Sequence, residues 1–232
     1  TFKSRRNETS MMYGLYVLLA FIAACQGRHQ YIELYEYSNS QGRHVRIESE
    51  VPDLSEFGPK KLNYDDRTTS VCLEGVWILY EDMLYNQDEF SSVEAFWGAG
   101  SVTCFDLLKP GTTSSLRFAG DYQNWMQPSV TLYDRTWFQG GEKFFTNLEV
   151  EFCKNCNSDS LIITGPYAWT FYSESYFEGE AVCLSFPDDR PLLMNESKKQ
   201  INFTIRSFRA GCHSRNVVTD EMPKSGRMSN SD

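Results

Sequence analysis

One short segment of the chain concentrates oxygen atoms that could bind a metal ion. Residues 65–70, DDRTTS, place two adjacent carboxylates and three hydroxyls directly before a run of β-forming residues. Carboxylate, hydroxyl and carbonyl oxygens are the ligands of hard cations such as Ca²⁺. The same residue types also cap tight turns by hydrogen bonding to nearby backbone groups. The segment is therefore either a metal-binding loop or a polar turn.

Cysteines offer a second kind of chemistry. Downstream of residue 27 the chain has Cys72, Cys104, Cys153, Cys156, Cys183 and Cys212. An even number in an exported chain indicates up to three disulfides. Cys153-x-x-Cys156 together with Cys212-His213 would also make a Cys₃His zinc set. A second CxxC motif is missing from the sequence, so disulfides are the favoured interpretation.

Residues for catalysis or for nucleic-acid binding are scarce. The three histidines, His29, His44 and His213, are scattered, and the sequence has no GxSxG, HExxH or phosphate-loop motif. Acidic residues outnumber basic ones by 31 to 22, and no basic block is present to neutralise phosphates. The sequence therefore predicts a non-enzyme that does not bind nucleic acid.

Residues 1–27 predict export rather than a part of the fold. The uncharged apolar run YGLYVLLAFIAA is too short to cross a bilayer but suits the core of a signal peptide. We expect translation to start at Met11 or Met12, after an upstream extension, and cleavage to follow Gly27 or Cys25. An alternative is a bacterial lipoprotein that carries lipid on Cys25. The mature protein is predicted to be secreted and extracellular, with no membrane association after cleavage.

A fourfold repeat predicts the elements that position these residues. Each copy has an apolar-x-apolar-Tyr core, whose alternation indicates a strand with one buried face. Five residues later an aromatic side chain can fold back over the tyrosine, and glycine at the seventh place allows the positive φ of a tight hairpin. Gln87 replaces that glycine in copy two, where Asn86 is expected to take up part of the strain. The four tyrosines are Tyr35, Tyr80, Tyr133 and Tyr172.

A second half follows each copy and is predicted to be its last strand. Copies one to three open this half with a serine, and Gln200 is assigned to the same place in copy four. Trp77 and Trp169 open copies two and four, whereas aliphatic residues open copies one and three, so the copies alternate in two pairs. The three serines are Ser70, Ser115 and Ser160.

The pattern Tyr-x(4)-aromatic-x-Gly, followed by a serine-led strand and paired in A-B order, resembles the βγ-crystallin Greek-key family. The resemblance covers about residues 31–212. It implies an all-β fold, with two βγ-crystallin-like Greek-key β-sandwich domains and four Greek-key motifs. We place domain one at 28–121, a linker at 122–128 and domain two at 129–212. Residues 213–232 have little apolar content and are expected to be a disordered tail.

The same resemblance implies a role for the opening segment. In the family, a calcium-binding stretch has the form (Asn/Asp)-(Asn/Asp)-x-x-(Ser/Thr)-Ser before a last strand, and residues 65–70 fit every place. Ca²⁺ is thus the cofactor implied for domain one, with a ligand contributed by the neighbouring key. Asp66 is the expected acidic ligand, whereas Asp65 has the alternative role of capping the turn. The metal-site residues are Asp65, Asp66, Arg67, Thr69 and Ser114.

The counterpart stretches fit the calcium pattern less well. Residues 110–115 of copy two have no acidic pair, and residues 155–160 of copy three have cysteine at the second place. Residues 195–200, assigned to copy four, lack the final serine. A site in domain two is therefore expected to be degraded. Asn195 and Asn202 begin glycosylation sequons, and Asn202 is expected to face solvent.

Two functions remain open on the sequence. The first is a secreted, disulfide-stabilised structural protein that binds calcium. The second is an extracellular binding effector, such as a defence protein, a toxin or a protease inhibitor, which a long exposed loop carrying a disulfide would favour. The expected partner is an unidentified extracellular protein or a second copy of the chain. Fold alone does not choose between these functions.

Overall fold

The computed structural model describes residues 29–57, 63–87, 91–220 and 223–230. The predicted extension and signal peptide lie outside these ranges. Within them the chain is almost entirely β-structure, with one four-residue helix, α1 (Met83–Asn86), and short 3₁₀ turns. None of the helices in the described ranges is long and apolar enough to span a bilayer.

The first half of the chain forms a sandwich in which two strands run through both layers. β3 changes register near Gly75: its first part pairs with β1 and its last part pairs with β5. β4 pairs with both parts of β3, on either side of its residues 99–102. The strands are β1 (Tyr31–Tyr37), β2 (Gln41–Ile47), β3 (Ser70–Tyr80), β4 (Val93–Asp106) and β5 (Ser115–Phe118).

The second half forms two separate sheets, ordered β12-β9-β6-β7 and β14-β11-β10-β13-β8. β8 belongs to copy three but pairs with β13 of copy four, whereas β12 of copy four pairs with β9 of copy three. This exchange of third strands makes the two copies interlocked Greek keys, as predicted. The strands are β6 (Ser129–Tyr133), β7 (Glu142–Phe145), β8 (Glu149–Val150), β9 (Ser160–Thr164), β10 (Trp169–Tyr172), β11 (Ala181–Ser185), β12 (Leu192–Met194), β13 (Ser207–Ala210), β14 (Val217–Thr219) and β15 (Ser225–Ser229).

The predicted packing of the repeat tyrosines is confirmed. Tyr80, Tyr133 and Tyr172 are buried, and each ring centroid lies 5.7 Å from that of the aromatic residue five positions later. Tyr35 is half-buried and stacks on His44 instead. The hairpins turn through left-handed residues four and five positions after each tyrosine. In copy two a third left-handed residue, Asn86 with φ 53°, compensates for the missing glycine.

A serine hydroxyl closes every hairpin with the same two hydrogen bonds. It donates to the carbonyl two residues after the tyrosine, at 2.5–2.6 Å, and accepts the N–H five residues after it, at 2.8–3.1 Å. In copy four this serine is Ser207 at the start of β13, so the assignment of Gln200 was wrong. Gln200 instead follows a 3₁₀ turn, Ser197–Lys199. The four serines are Ser70, Ser115, Ser160 and Ser207.

Apolar side chains form one core in each sandwich and a third cluster between them. The third cluster joins residues of β3 and β4 to residues of the second half, so the two sandwiches bury a common apolar interface. Burial of this kind is the main favourable contribution to such packing. Its buried members are Val76, Ile78, Tyr80, Val93, Ala95, Trp97, Ala119, Tyr133, Phe138, Ile162 and Leu193.

A buried arginine lies in this interface. The Arg117 side chain is 2% exposed, and its Nε donates to the Tyr80 hydroxyl at 2.8 Å. Its other nitrogens donate to the carbonyls of Phe138 at 2.7 Å and Gly140 at 3.2 Å, across the interface. Nη1 also lies 3.4 Å from the Glu142 carboxylate. Arg117 therefore links copy two of the first sandwich to copy three of the second.

Glu50 and Glu142 meet at the rim of this interface, and they make its stability depend on pH. Partial desolvation and the neighbouring Glu142 charge raise the pKa of Glu50 to about 7, although part of the Glu50 residue is exposed to solvent, and desolvation raises the pKa of Glu142. A raised carboxyl pKa means that the folded state holds a proton that the unfolded state releases. The stability that this proton contributes to the folded state is therefore lost as pH rises toward 7. We expect the melting temperature of Glu50→Gln to fall less between about pH 5 and pH 8 than that of the wild type. If the melting temperatures of the two proteins change with pH by the same amount, this assignment is contradicted.

The prediction of a disordered tail is wrong for two segments. β14 pairs in parallel with β11, and β15 pairs with β4 in the first sandwich. The tail thus crosses from one sandwich to the other. Its low apolar content was misleading because edge strands are held mainly by backbone hydrogen bonds and need little apolar burial.

The six cysteines of the described chain form three disulfides. They join Cys72 to Cys104, Cys153 to Cys156, and Cys183 to Cys212. The first links directly opposite residues of β3 and β4, as expected for the two cysteines of domain one. The zinc alternative is excluded for these residues in this structure, because a disulfide sulfur does not supply the thiolate that zinc requires.

Thiol labelling tests this pairing. Under non-reducing denaturing conditions, none of the six cysteines should react with a maleimide, whereas prior reduction should expose all of them. Peptide mapping should recover the three pairs above. Labelling of two or more of the six without reductant would contradict the fully paired state.

Candidate metal site in the first sandwich

Backbone hydrogen bonds join the DDRTTS loop to the loop that precedes β5. The Asp66 N–H donates to the Thr113 carbonyl at 3.1 Å, and the Gly111 N–H donates to the Thr68 carbonyl at 2.8 Å. Thr69 is tied to β1 through its N–H and the Tyr35 carbonyl, at 2.8 Å. The loops of copies one and two therefore lie side by side, which is the arrangement that a shared site needs.

A cavity of about 350 Å³ opens where the copy-one loop meets the copy-two hairpin. Asp65 contributes from the loop, Asp82 from the hairpin and Ser114 from the residue before β5. Backbone pairing fixes Ser114, whose N–H donates to the Tyr80 carbonyl at 2.9 Å. The structure thus brings together two of the predicted residues, Asp65 and Ser114. The remaining lining residues are Met83, Leu84, Asn86 and Gln87.

One carboxylate oxygen of Asp65, Oδ1, is buried without a hydrogen-bond partner among the residues that the structure describes. A buried carboxylate oxygen without a partner is costly, so such an atom indicates a ligand or water that would satisfy it. Asp82 is partly engaged, because its Oδ2 accepts a hydrogen bond from the Ser91 hydroxyl.

The other predicted site residues lie outside this cavity. Asp66 is exposed in a left-handed conformation, and desolvation and the adjacent Asp65 charge raise its pKa. Arg67 is exposed and its guanidinium lies 3.7 Å from the Glu36 carboxylate. Thr69 is half-buried and holds the hairpin through its backbone. These three residues are therefore not among those that line the cavity with Asp65 and Ser114.

The side-chain oxygens at this cavity are of the kind that a hard cation binds, but they are few. Two carboxylates and a hydroxyl face one space, and Ca²⁺ prefers such oxygens, completed by carbonyls and water. In the described chain no group of three or more His, Cys, Asp or Glu side chains converges as a metal cluster. Asp65, Asp82 and Ser114 are accordingly the residues that would hold Ca²⁺, with water supplying the remaining ligands.

A cavity in the second sandwich contains a lysine, but it lies where the copy-three hairpin meets the copy-four loop, so it is not at the position equivalent to the first cavity. It is lined by Asp134, Asp159, Asn202 and neighbouring residues, and the Lys198 ammonium makes an ion pair with Asp159. A covalently attached cation thus already meets this carboxylate. Residues 202–207, not 195–200, occupy the position of the fourth stretch, because Ser207 is the serine that closes the hairpin.

Sequence reasoning missed Asp82, Ser207 and Arg117. Asp82 lies two residues after Tyr80 and has no place in the calcium pattern. Ser207 could have been found, because it lies 35 residues after Tyr172, the same distance that separates tyrosine and serine in copies one and two. Arg117 has a counterpart in copy four, Arg209, whose Nε donates to the Tyr172 hydroxyl at 3.1 Å.

These features define a two-sandwich, all-β protein built from Greek keys. No protein-family model matches the sequence, and no curated protein matches it significantly. Among solved structures, Geodin, a beta-gamma crystallin from Geodia cydonium, is similar over 78% of this chain and 98% of its own, with 17% identity and a TM-score of 0.56. Protein S complexed with calcium matches over 78% of this chain and 99% of its own, with 16% identity and a TM-score of 0.29. The likeness to Geodin shows that the chain has the βγ-crystallin fold.

Proposed function

We propose that this chain is a secreted, disulfide-stabilised structural protein that binds Ca²⁺ in its first sandwich. The observation that carries the proposal is the buried, unpartnered Oδ1 of Asp65, a residue that also lines the cavity shared with Asp82 and Ser114. The repeated tyrosine, aromatic and serine residues serve packing and hairpin closure, and no catalytic role is proposed for them.

Calcium would act by joining the two keys of the first sandwich. Asp65 lies on the loop of copy one, whereas Asp82 and Ser114 lie on copy two, so one ion would bridge both. Without a cation the two carboxylates repel each other, and binding relieves that repulsion. An ion that binds only the native state stabilises it by RT ln(1 + [L]/Kd), about 2.7 kcal/mol at a hundredfold excess over Kd.

The melting temperature in chelator and in millimolar Ca²⁺ tests this proposal. We expect calcium to raise the melting temperature of the wild type, and Asp65→Asn and Ser114→Ala to reduce the increase. Asp188→Asn is the matched control, because it removes the same charge at an exposed position outside the cavity. An increase that survives Asp65→Asn unchanged would reject this site.

A substitution of Asp66 distinguishes between the site expected from the sequence and the site supported by the structure. Asp66→Asn removes a neighbouring charge and keeps a residue type that tolerates the left-handed conformation. If Asp65 is the ligand, Asp66→Asn should retain most of the calcium response. If Asp66→Asn abolishes the calcium response and Asp65→Asn does not, the ligand is Asp66, as the family pattern implies, and the cavity assignment is wrong.

The proposed location rests on the disulfides. Three disulfides in one chain are typical of proteins that fold in an oxidising compartment. Asn202 is exposed, so its sequon is accessible to a glycosyltransferase. Mass measurement of the protein secreted from a eukaryotic host, before and after glycosidase treatment, tests secretion, leader cleavage and glycan occupancy together.

An extracellular binding effector is the second candidate, and one feature favours it. Residues 99–102 of β4 have no pairing partner on β3, so they bulge from the sheet between Gly98 and Thr103. Val102 in this bulge is 52% exposed, and the Cys72–Cys104 disulfide lies two residues beyond it. A partner captured from extracellular fluid by the wild type and lost with Val102→Asp would support this function.

A further inference from the structure

The C-terminal strand contacts domain one through specific side chains as well as through its backbone. β15 pairs antiparallel with β4, which places Gly226 opposite Trp97 and Met228 opposite Ala95. A Cβ atom at Gly226 would lie only 2.5 Å from the Trp97 indole, so any larger residue would have to displace that ring. The Trp97 Nε1 also donates to the Pro223 carbonyl at 2.9 Å.

Two further side chains of the segment have defined positions. Met228 packs against the third apolar cluster. The Asn230 Oδ1 accepts the Val93 N–H at 2.7 Å, and its Nδ2 donates to the Ser91 carbonyl at 2.9 Å. Alternate residues of a strand face the same side. The groove therefore selects an extended segment with the pattern Gly-x-Met-x-Asn.

The segment buries little apolar surface in this groove. Lys224 makes an ion pair with Asp189 and Arg227 donates to the Asp106 carbonyl, both at exposed positions. Met228 is the one large apolar residue of 223–230 that packs against a core cluster. Segments with few buried apolar contacts open at a smaller free-energy cost than global unfolding. Opening would uncover the edge of β4, and addition of a strand to an open sheet edge is a common mode of peptide recognition.

We propose that the edge of β4 and the Trp97 ring form a strand-binding groove, and that a second copy of this chain can fill it with its own residues 223–230. Every copy carries both the groove and the segment, so the exchange is reciprocal and gives a closed dimer. The contacts made in the dimer are those already present within one chain. This interaction is independent of calcium.

Disulfide trapping between two full-length variants tests the exchange. One variant carries Ala95→Cys and the other carries Met228→Cys, at positions that face each other across the strand pair. Opposed residues of an antiparallel pair lie within the Cα distance that a disulfide spans. After mixing in a glutathione redox buffer, we expect a heterodimer whose new disulfide maps to residues 95 and 228.

A peptide competitor and a one-chain control make the result decisive. Excess peptide PKSGRMSN, residues 223–230, should abolish the heterodimer, and the same peptide with valine in place of glycine should not. A single chain carrying both substitutions should form the 95–228 disulfide internally, which shows that the geometry permits it. If that chain becomes cross-linked but the mixture yields no 95–228 heterodimer, exchange does not occur and the proposal is wrong.

Discussion

Tyr133→Ala is expected to lower the free energy of unfolding by roughly 3–5 kcal/mol, the usual cost of truncating a large aromatic residue in a core. The Tyr133 ring is fully buried, contacts Phe138 and lies 4.7 Å below the Arg117 guanidinium. Its removal would therefore disturb both the hairpin of copy three and the interface between the sandwiches. Denaturant-induced unfolding followed by tryptophan fluorescence measures the change.

Two other substitutions separate packing from hydrogen bonding. Tyr133→Phe should be nearly neutral, because the Tyr133 hydroxyl is buried without a hydrogen-bond partner in the described chain. Tyr80→Phe should cost about 1 kcal/mol, because the Tyr80 hydroxyl donates to Phe138 and accepts from Arg117. Tyr35→Ala should be the mildest of the tyrosine truncations. Equal losses for Tyr35→Ala and Tyr133→Ala would contradict the packing described above.

Arg117→Met is expected to cost about 1–3 kcal/mol, the range for leaving a buried hydrogen-bond acceptor without its donor. The substitution keeps much of the side-chain volume but leaves Glu142 without its cation and the Gly140 carbonyl without a donor. Because Arg117 spans the interface, the two sandwiches should also unfold less cooperatively. Chemical denaturation monitored by two probes, one in each sandwich, detects both effects.

A double variant isolates the charge effect of Arg117. Adding Glu142→Gln to Arg117→Met removes the unpaired carboxylate, so the pair should recover part of the stability lost by the single variant. Glu142→Gln alone should be milder than Arg117→Met, since Glu142 is partly exposed. A single Arg117→Met variant as stable as the wild type would show that the arginine contributes nothing to the interface.

The repeat could be predicted from the sequence because its spacing is a property of one hairpin. Tyrosine, aromatic and glycine positions all lie within eight residues, so local geometry determines their contacts. Ser207 was missed because a longer segment, with its own 3₁₀ turn, separates β12 from β13. The tyrosine-to-serine distance of 35 residues in copies one and two would have been a better guide than the local hydrophobic pattern.

The site and the interface depended on contacts that no local pattern encodes. Asp82 and Asp65 line one cavity because the copy-two hairpin lies beside the copy-one loop, so tertiary pairing decides which residue of the acidic pair lines the cavity. Arg117 lies in a strand, where a charged residue is usually solvent-exposed. Its burial follows from the docking of the second sandwich. β15 was missed because it pairs with a strand of the other sandwich.

Calorimetric titration of Ca²⁺ into the metal-free protein measures the proposed binding itself. We expect saturable binding with one ion per chain, lost in Asp65→Asn and retained in Asp188→Asn. We expect no second site at the cavity that contains the Lys198–Asp159 pair. Absence of binding heat at several temperatures, together with an unchanged melting curve, would contradict calcium binding and leave residues 65–70 as a polar turn.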